Sequence, residues 1–355
     1  MSVQWNARAA AICVPIRNER AALPALLDAL AGQSGGPQQT VLCLLLDGCT
    51  DGSAALAREW AERFPLPVVI QAVPAAASPN AGRARRAALA LGQKALGQTA
   101  QAALLTTDAD TVPAPDWIAQ NCRALVEADV VAGRIMRRPS DDDSPQDRLE
   151  AYLDRLHQHR RRIDPVPWEA CAPHHFTGGA SLGFRADAYA ALGGFEPRPC
   201  GEDAAIVDAA HRAGLRVRRD PAVRVTTSSR RDGRAPGGLA THLRHLAQQD
   251  DPLAACLVAH PVDAAWQYRG HAQARASFPH LACPDVLLQL ALALDRDPGD
   301  VARTAAASPN AEAFATRIVP AAPGGVRLIP LAQAEGALDA LEDSGLEDAR
   351  LERAA

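Results

Sequence analysis

No excess of positive charge runs through this sequence: 37 lysines and arginines stand against 41 aspartates and glutamates, a formal net charge of −4. Such a chain has no global field with which to hold a nucleic-acid backbone or an anionic membrane, so any polyanion contact must be local. Long apolar runs are missing too. None approaches the roughly 20 residues that cross a bilayer, and the start, "MSVQWNARAAAICVPI", has no basic region followed by a long apolar stretch. These absences predict a cytoplasmic protein with no transmembrane segment and no nucleic-acid partner. The eight cysteines form no CxxC pair, and Cys13 and Cys43 sit inside apolar runs, so reduced and mostly packed thiols are expected. Nothing repeats at solenoid or propeller spacing.

What the chain does have is core material. Its 355 residues are 48% hydrophobic and 22% charged, enough for a folded protein with more than one domain. Apolar runs ("AAAICVPI", "TVLCLLLDG", "LPVVIQAV", "QAALLTTDAD") alternate with helical patterns ("RAALPALLDALAGQ", "DGSAALAREWAERF", "NAGRARRAALALGQKALG"). Short apolar runs separated by amphipathic helices predict a parallel sheet covered on both faces, an α/β nucleotide-binding-like domain. Ligands of such sheets bind beyond the carboxyl ends of the strands. Polar residues gather there: Arg17, Asn18 and Glu19 after the first strand, Asp47 after the second, Asp108 and Asp110 after the fourth. Asp51 or Ser53 is the expected cap of the second helix. The stretch "LDRLHQHRRR" reads as a solvated helix face, and from about residue 250 the text turns alanine-rich and helical.

Two aspartates on a turn suit a hard divalent cation, Mg²⁺ or Mn²⁺, that bridges substrate phosphates. Taken in order, the motifs resemble glycosyltransferase family 2. "VPIRNER" resembles the family's opening strand and loop, "LLLDGCTDGS" its "DDGSTDGT" signature, "TTDADT" its metal-binding DxD, and "GGFEPRPCGEDAAIVDAAHRAG" its acceptor-side segment. One departure is Leu46, which stands where the family often has the first of two adjacent aspartates, leaving Asp47 alone.

The resemblance implies the GT-A fold, a Rossmann-like, mostly parallel sheet flanked by helices, and transfer of a sugar from a UDP- or GDP-linked donor to an acceptor hydroxyl. Pro15, Arg17, Asn18 and Glu19 would lie along the donor, with Asp47 against the base, Asp108 against the ribose and Asp110 on the metal. Arg85 matches the family's usual arginine better than Arg83 or Arg86. Asp203 would be the general base of an inverting transfer, with Glu202 beside it holding acceptor hydroxyls or the loop. Gly178 and Gly179 would form the acceptor floor. Among Arg230, Arg231 and Arg234, the last two are set against the diphosphate. His174 and His175 are weighed as metal ligands and not favoured.

Three other readings compete. A retaining GT-A enzyme would lack a dedicated base and use a histidine on the metal. A sugar-1-phosphate nucleotidyltransferase would need a glycine-rich loop after the first strand, and "VPIRNER" has no glycine. A silent binding module has no need of four carboxylates facing one cleft. The expected division is a catalytic domain over 1–249, with a nucleotide half at about 8–135 and an acceptor half at about 136–249. A helical extension follows over 250–355, a possible surface for homo-oligomers.

Overall fold

In the computed structural model of the chain, the described residues are 5–75, 78–97, 99, 101–138, 144–233 and 237–354, with the side chains of 144 and 344–354 excepted. The chain runs β1 (Ala9–Ile16), α1 (Leu23–Ala31), β2 (Gln39–Asp47), α2 (Ser53–Ala61), β3 (Val68–Val73), α3 (Ala81–Leu96), β4 (Ala102–Thr106), β5 (Val112–Pro113) and α4 (Trp117–Glu127). It continues with β6 (Val130–Arg137), α5 (Ser144–Ile163), β7 (Leu182–Arg185), α6 (Ala186–Ala191), α7 (Glu202–Arg212) and β8 (Val217–Thr227). Then come α8 (Leu239–Ala247), α9 (Pro252–Ala255), β9 (Leu257–Ala259), α10 (Pro261–Ser277), α11 (Pro284–Leu294), α12 (Pro298–Ala306), α13 (Ala311–Ile318), β10 (Leu328–Pro330) and α14 (Leu331–Ala354). Packing divides these into two units: Met1–Ser140 with Phe176–Ala210 and Leu215–His242, and Asp141–His175 with His211–Gly214 and Leu243–Ala355.

The first unit is built on an eight-stranded sheet in the order β3-β2-β1-β4-β7-β6-β8-β5. Strands β3, β2, β1 and β4 are parallel, as the alternating strand and helix pattern predicts. Period-two alternation sends Ile12, Val14, Leu44 and Leu46 to one face, against Leu26 and Leu30 of α1 and Trp117 of α4. It sends Ala11, Cys13, Cys43 and Leu45 to the other, against Leu89 of α3 and Ile206 of α7. Continuous apolar text in β1 and β2 thus reflects helices on both sides. Past β4 the sheet becomes mixed: β7 is antiparallel to both β4 and β6, β8 is parallel to β6, and β5 is antiparallel to β8.

The second unit is mainly helical, with a two-stranded ribbon of β9 and β10. Helix α5 belongs to it, although its sequence position falls in the expected acceptor half. The reason is its apolar stripe, since Tyr152 and Leu156 are buried with Val258, Tyr268, Leu331 and Leu338. Its outward basic residues form ion pairs at the surface. Arg155 pairs with Asp339 at 2.6 Å and with Glu342 at 2.7 Å, Arg162 with Glu342 at 3.2 Å, and Arg148 with Glu335, all acids of α14. Among the described residues no helix is long and apolar enough to cross a membrane.

Candidate active site

A cleft of about 500 Å³ in the first unit lies at the carboxyl ends of the strands. Six carboxylates line it (Glu19, Asp47, Asp108, Asp110, Glu202, Asp203) with three guanidinium groups (Arg17, Arg85, Arg230). The loop after β1 is tied to the turn after β2. Asn18 takes a left-handed φ of 53°, which asparagine tolerates, and its Oδ1 accepts from the Thr50 N–H at 2.7 Å. Glu19 N–H donates to Ser53 Oγ at 2.9 Å, fixing a buried glutamate at the rim. Arg17 Nη1 reaches Asp47 Oδ2 at 3.2 Å, so the single aspartate of this turn has a cationic partner. Gly48 is required at φ 60°, where a Cβ would also lie 2.5 Å from Ala75. The cap of α2 is Gly52, and Asp51 works just outside it: Oδ1 accepts from the Ser53 N–H at 3.0 Å and Oδ2 from the Arg20 N–H at 2.9 Å.

Arg85 is the inward arginine of α3, 6% exposed, while Arg83 and Arg86 are exposed. Its Nε donates to Glu202 Oε1 at 3.1 Å, Nη1 to the Gly179 carbonyl at 2.9 Å and Thr106 Oγ1 at 3.2 Å, and Nη2 to Asp108 Oδ1 at 2.8 Å. Burial works against its charge, but Asp108 and Glu202 outweigh that and raise its pKa above the usual arginine range. Gly179 makes this possible, because a Cβ there would stand 2.2 Å from Arg85 Nη2. Gly179 also lines the cleft, where the sequence predicts the close approach of a substrate. Glu202 is 4% exposed, and burial raises its pKa even with Arg85 pulling the other way. It holds Arg85, which in turn donates to the Gly179 carbonyl.

Asp203 is half-buried in the first turn of α7 and faces the cleft. Its Oδ2 accepts from the Gly179 N–H at 2.9 Å and its Oδ1 from the Ala204 N–H at 2.7 Å, which orients the carboxylate. Across the cleft, burial and then the charges of Asp108 and Glu19 push Asp110 up to about 6, against the opposing pull of Arg230. Arg230 Nη2 lies 3.1 Å from Asp110 Oδ2, and its Nη1 donates to Glu19 Oε2 at 2.6 Å.

With four separate strand and helix ends converging on these carboxylates, the comparison with known proteins is direct. The model of glycosyl transferase family 2 matches residues 11–189, just over half of the 355-residue chain. The chain belongs to glycosyl transferase family 2. This glycosyltransferase has the GT-A fold, its parallel β3-β2-β1-β4 half carrying Arg17, Asp47 and Asp108 at or just beyond its strand ends. Among solved structures it is similar to the mannosyltransferase PcManGT from Pyrobaculum calidifontis in complex with GDP-Man and Mn²⁺, at 19% identity and TM-score 0.47, over 88% of this chain and 86% of that one. It is also similar to S. aureus TarS 1–349 in complex with UDP-GlcNAc, at 12% identity and TM-score 0.47, over 81% and 79% of the two chains. No curated protein sequence matches it.

Most of the glycosyltransferase residues named from the sequence line the cleft: Pro15, Arg17, Glu19, Asp47, Arg85, Asp108, Asp110, Gly178, Gly179, Glu202 and Asp203. Asn18 instead holds the turn behind it. In the loop after β8 the arginine in the cleft is Arg230; Arg231 is not among the lining residues, and Arg234 lies outside the described residues. His175 belongs to the second unit, where its Nδ1 lies 2.7 Å from Asp154 Oδ1. Thr106, which accepts from Arg85, is a supporting residue that sequence reasoning missed, and Ser53, named there only as a helix cap, accepts from the Glu19 N–H. The signal for Thr106 was adjacency, two residues before "DAD".

The donor set fits a hard divalent cation. Asp108, Asp110 and Glu19 offer only oxygen, and their mutual repulsion at Asp110 is what a cation relieves. Among the described residues no three acidic, histidine or cysteine side chains enclose an ion, so diphosphate and water oxygens would complete the shell.

Proposed function

We propose that this chain is a metal-dependent, inverting glycosyltransferase that moves a sugar from a UDP- or GDP-linked donor to an acceptor hydroxyl. The observation that carries the reading is the convergence of Asp47, Asp108, Asp110 and Asp203 on one cleft from the ends of β2, β4 and α7. Asp47 accepts from a ring N–H of the base, its orientation set by Arg17. Asp108, braced by Arg85, faces the ribose. Asp110 would hold Mg²⁺ or Mn²⁺, which would offset the charge of the departing nucleoside diphosphate. Gly178 and Gly179 lie at the acceptor floor, next to the base.

Chemistry then needs one proton acceptor. As the acceptor oxygen attacks the anomeric carbon, its proton passes to Asp203, and the bond from that carbon to the diphosphate oxygen breaks on the opposite side. Both Asp203 oxygens already take a backbone N–H, which aims the carboxylate while leaving lone pairs for the hydroxyl.

The test is thermal unfolding of the protein with UDP or GDP, with and without Mn²⁺. Metal-dependent stabilisation by one of the two is expected, and it should vanish in Asp110→Ala while unfolding stays cooperative. Undiminished metal-dependent stabilisation in that variant would sink the assignment.

A further inference from the structure

Arg230 stands on ground that a divalent cation needs. Its Nη1 donates to Glu19 Oε2 at 2.6 Å, and its Nη2 is shared between Glu19 Oε1 and Asp110 Oδ2, the latter at 3.1 Å. The two acids are fixed by their own elements. Glu19 is buried and tied through its N–H to Ser53 Oγ at 2.9 Å, and Asp110 sits in the tight turn in which the Thr111 N–H donates to the Asp108 carbonyl at 3.1 Å. Arg230 is the partner able to leave, since it lies in the loop after β8 with its side chain 31% exposed.

A Mg²⁺ or Mn²⁺ ion binds carboxylate oxygen at about 2.1 Å. A guanidinium nitrogen 3.1 Å from that same oxygen would then face a double positive charge at close range. Both cations cannot keep Asp110. We propose that Arg230 is the built-in counter-ion of the cation site in the donor-free protein, and that ion entry and departure of Arg230 from Asp110 are a single event. The inference rests on the metal-dependent reading of this cleft. Without a donor, Arg230 gives up a two-point ion pair with Glu19 and gains water, so the ion binds weakly. With a nucleoside diphosphate present, the released guanidinium has phosphate oxygens to hold, and ion and diphosphate strengthen each other's binding. Arg230 is thereby a positioning residue that makes occupation of the metal site conditional on the donor.

Mn²⁺ alone is the probe, titrated into the full-length protein and followed by the electron paramagnetic resonance signal of the free ion. Without nucleotide, Arg230→Met should bind Mn²⁺ at least tenfold more tightly than the wild type. With saturating UDP or GDP the order should reverse, because the variant has no guanidinium to give the diphosphate. Arg230→Lys, which keeps one charge but not the two-point pairing, should fall between them, and it decides the question if the methionine variant unfolds. Equal affinities for Mn²⁺ alone, in a protein that does bind Mn²⁺ with UDP or GDP, would overturn this inference and leave the transferase reading standing. A wild type that binds no Mn²⁺ with either nucleotide would overturn both.

Discussion

Replacing Arg85 by methionine tests whether the cleft is held together from behind. The substitution keeps apolar bulk in α3 but strips Glu202, 4% exposed, of the guanidinium 3.1 Å away. Removing one partner of a buried ion pair costs about 3–5 kcal/mol, because the remaining charge stays desolvated. Asp108 loses its partner as well, but its side chain is 35% exposed and water compensates much of that. Glu202 is already above the ordinary glutamate range because burial outweighs the pull of Arg85, so the variant raises it further. The sign follows from linkage. A carboxyl group raised in the folded state costs stability above that raised value and costs none below its unfolded value. The deficit of Arg85→Met should therefore be largest near neutral pH and shrink as the pH falls toward the ordinary glutamate range. Urea unfolding followed by tryptophan fluorescence measures it, since Trp117 is fully buried in the same unit. Adding Glu202→Gln should recover about 2 kcal/mol or more of the loss, a coupling expected only of residues in contact. A single variant costing under about 1 kcal/mol, or a double variant no more stable than Arg85→Met, would refute the reasoning.

The same network makes Gly179→Ala damaging, since the added carbon would stand 2.2 Å from Arg85 Nη2 and 2.3 Å from its Cζ. A loss of about 1–3 kcal/mol is expected; an unchanged melting temperature would mean that Arg85 has other room. In the second unit, His211 and Arg275 hold buried Glu312 down at about 2, prevailing over the burial that would raise it. A lowered carboxylate lends stability above its unfolded value, and that stability is lost as the pH falls through about 4 toward 2. Glu312→Gln should cost about 2–3 kcal/mol at neutral pH, and the gap to wild type should close on acidification. A gap of constant size across that window would contradict the pairing.

The strands that the sequence made plain are those with helices on both faces. β1 and β2 are legible because burial on two sides demands unbroken apolar text, and their polar ends follow from the turn chemistry of "RNE" and "DG". The four-residue β7 is another matter. It wedges antiparallel between β4 and β6, and nothing local in "LGFR" says which strands it joins. Pairings between Thr226 and Val112, far apart in the chain, are likewise invisible to periodicity. The cleft divides in the same way. Asp47, Asp108 and Asp110 could be named because each follows a predicted strand, and Asp203 because its segment resembles the family's acceptor-side motif. Their counter-ions were harder to name: the family resemblance favours Arg85 in "RARR", but in "RRDGR" it sets Arg231 and Arg234 against the diphosphate, whereas three-dimensional packing puts Arg230 in the cleft. The need for glycine at 179 had a second reason that the sequence does not show: a Cβ there would collide with Arg85. Helix α5 joined the C-terminal residues because its apolar stripe needed partners that its own neighbours in sequence did not supply.

The central claim is that Asp203 takes the acceptor proton in an inverting transfer. Once a donor and an acceptor are in hand, the decisive measurement compares Asp203→Asn with wild type for donor affinity, turnover and the anomeric configuration of the product. The asparagine keeps size and can still accept the Gly179 N–H, but it cannot act as the base. Donor affinity should be unchanged, turnover should fall by about two to four orders of magnitude, and the wild-type product should carry the configuration opposite to the donor's. Near-normal turnover in Asp203→Asn, or a product that keeps the donor's configuration, would contradict the account.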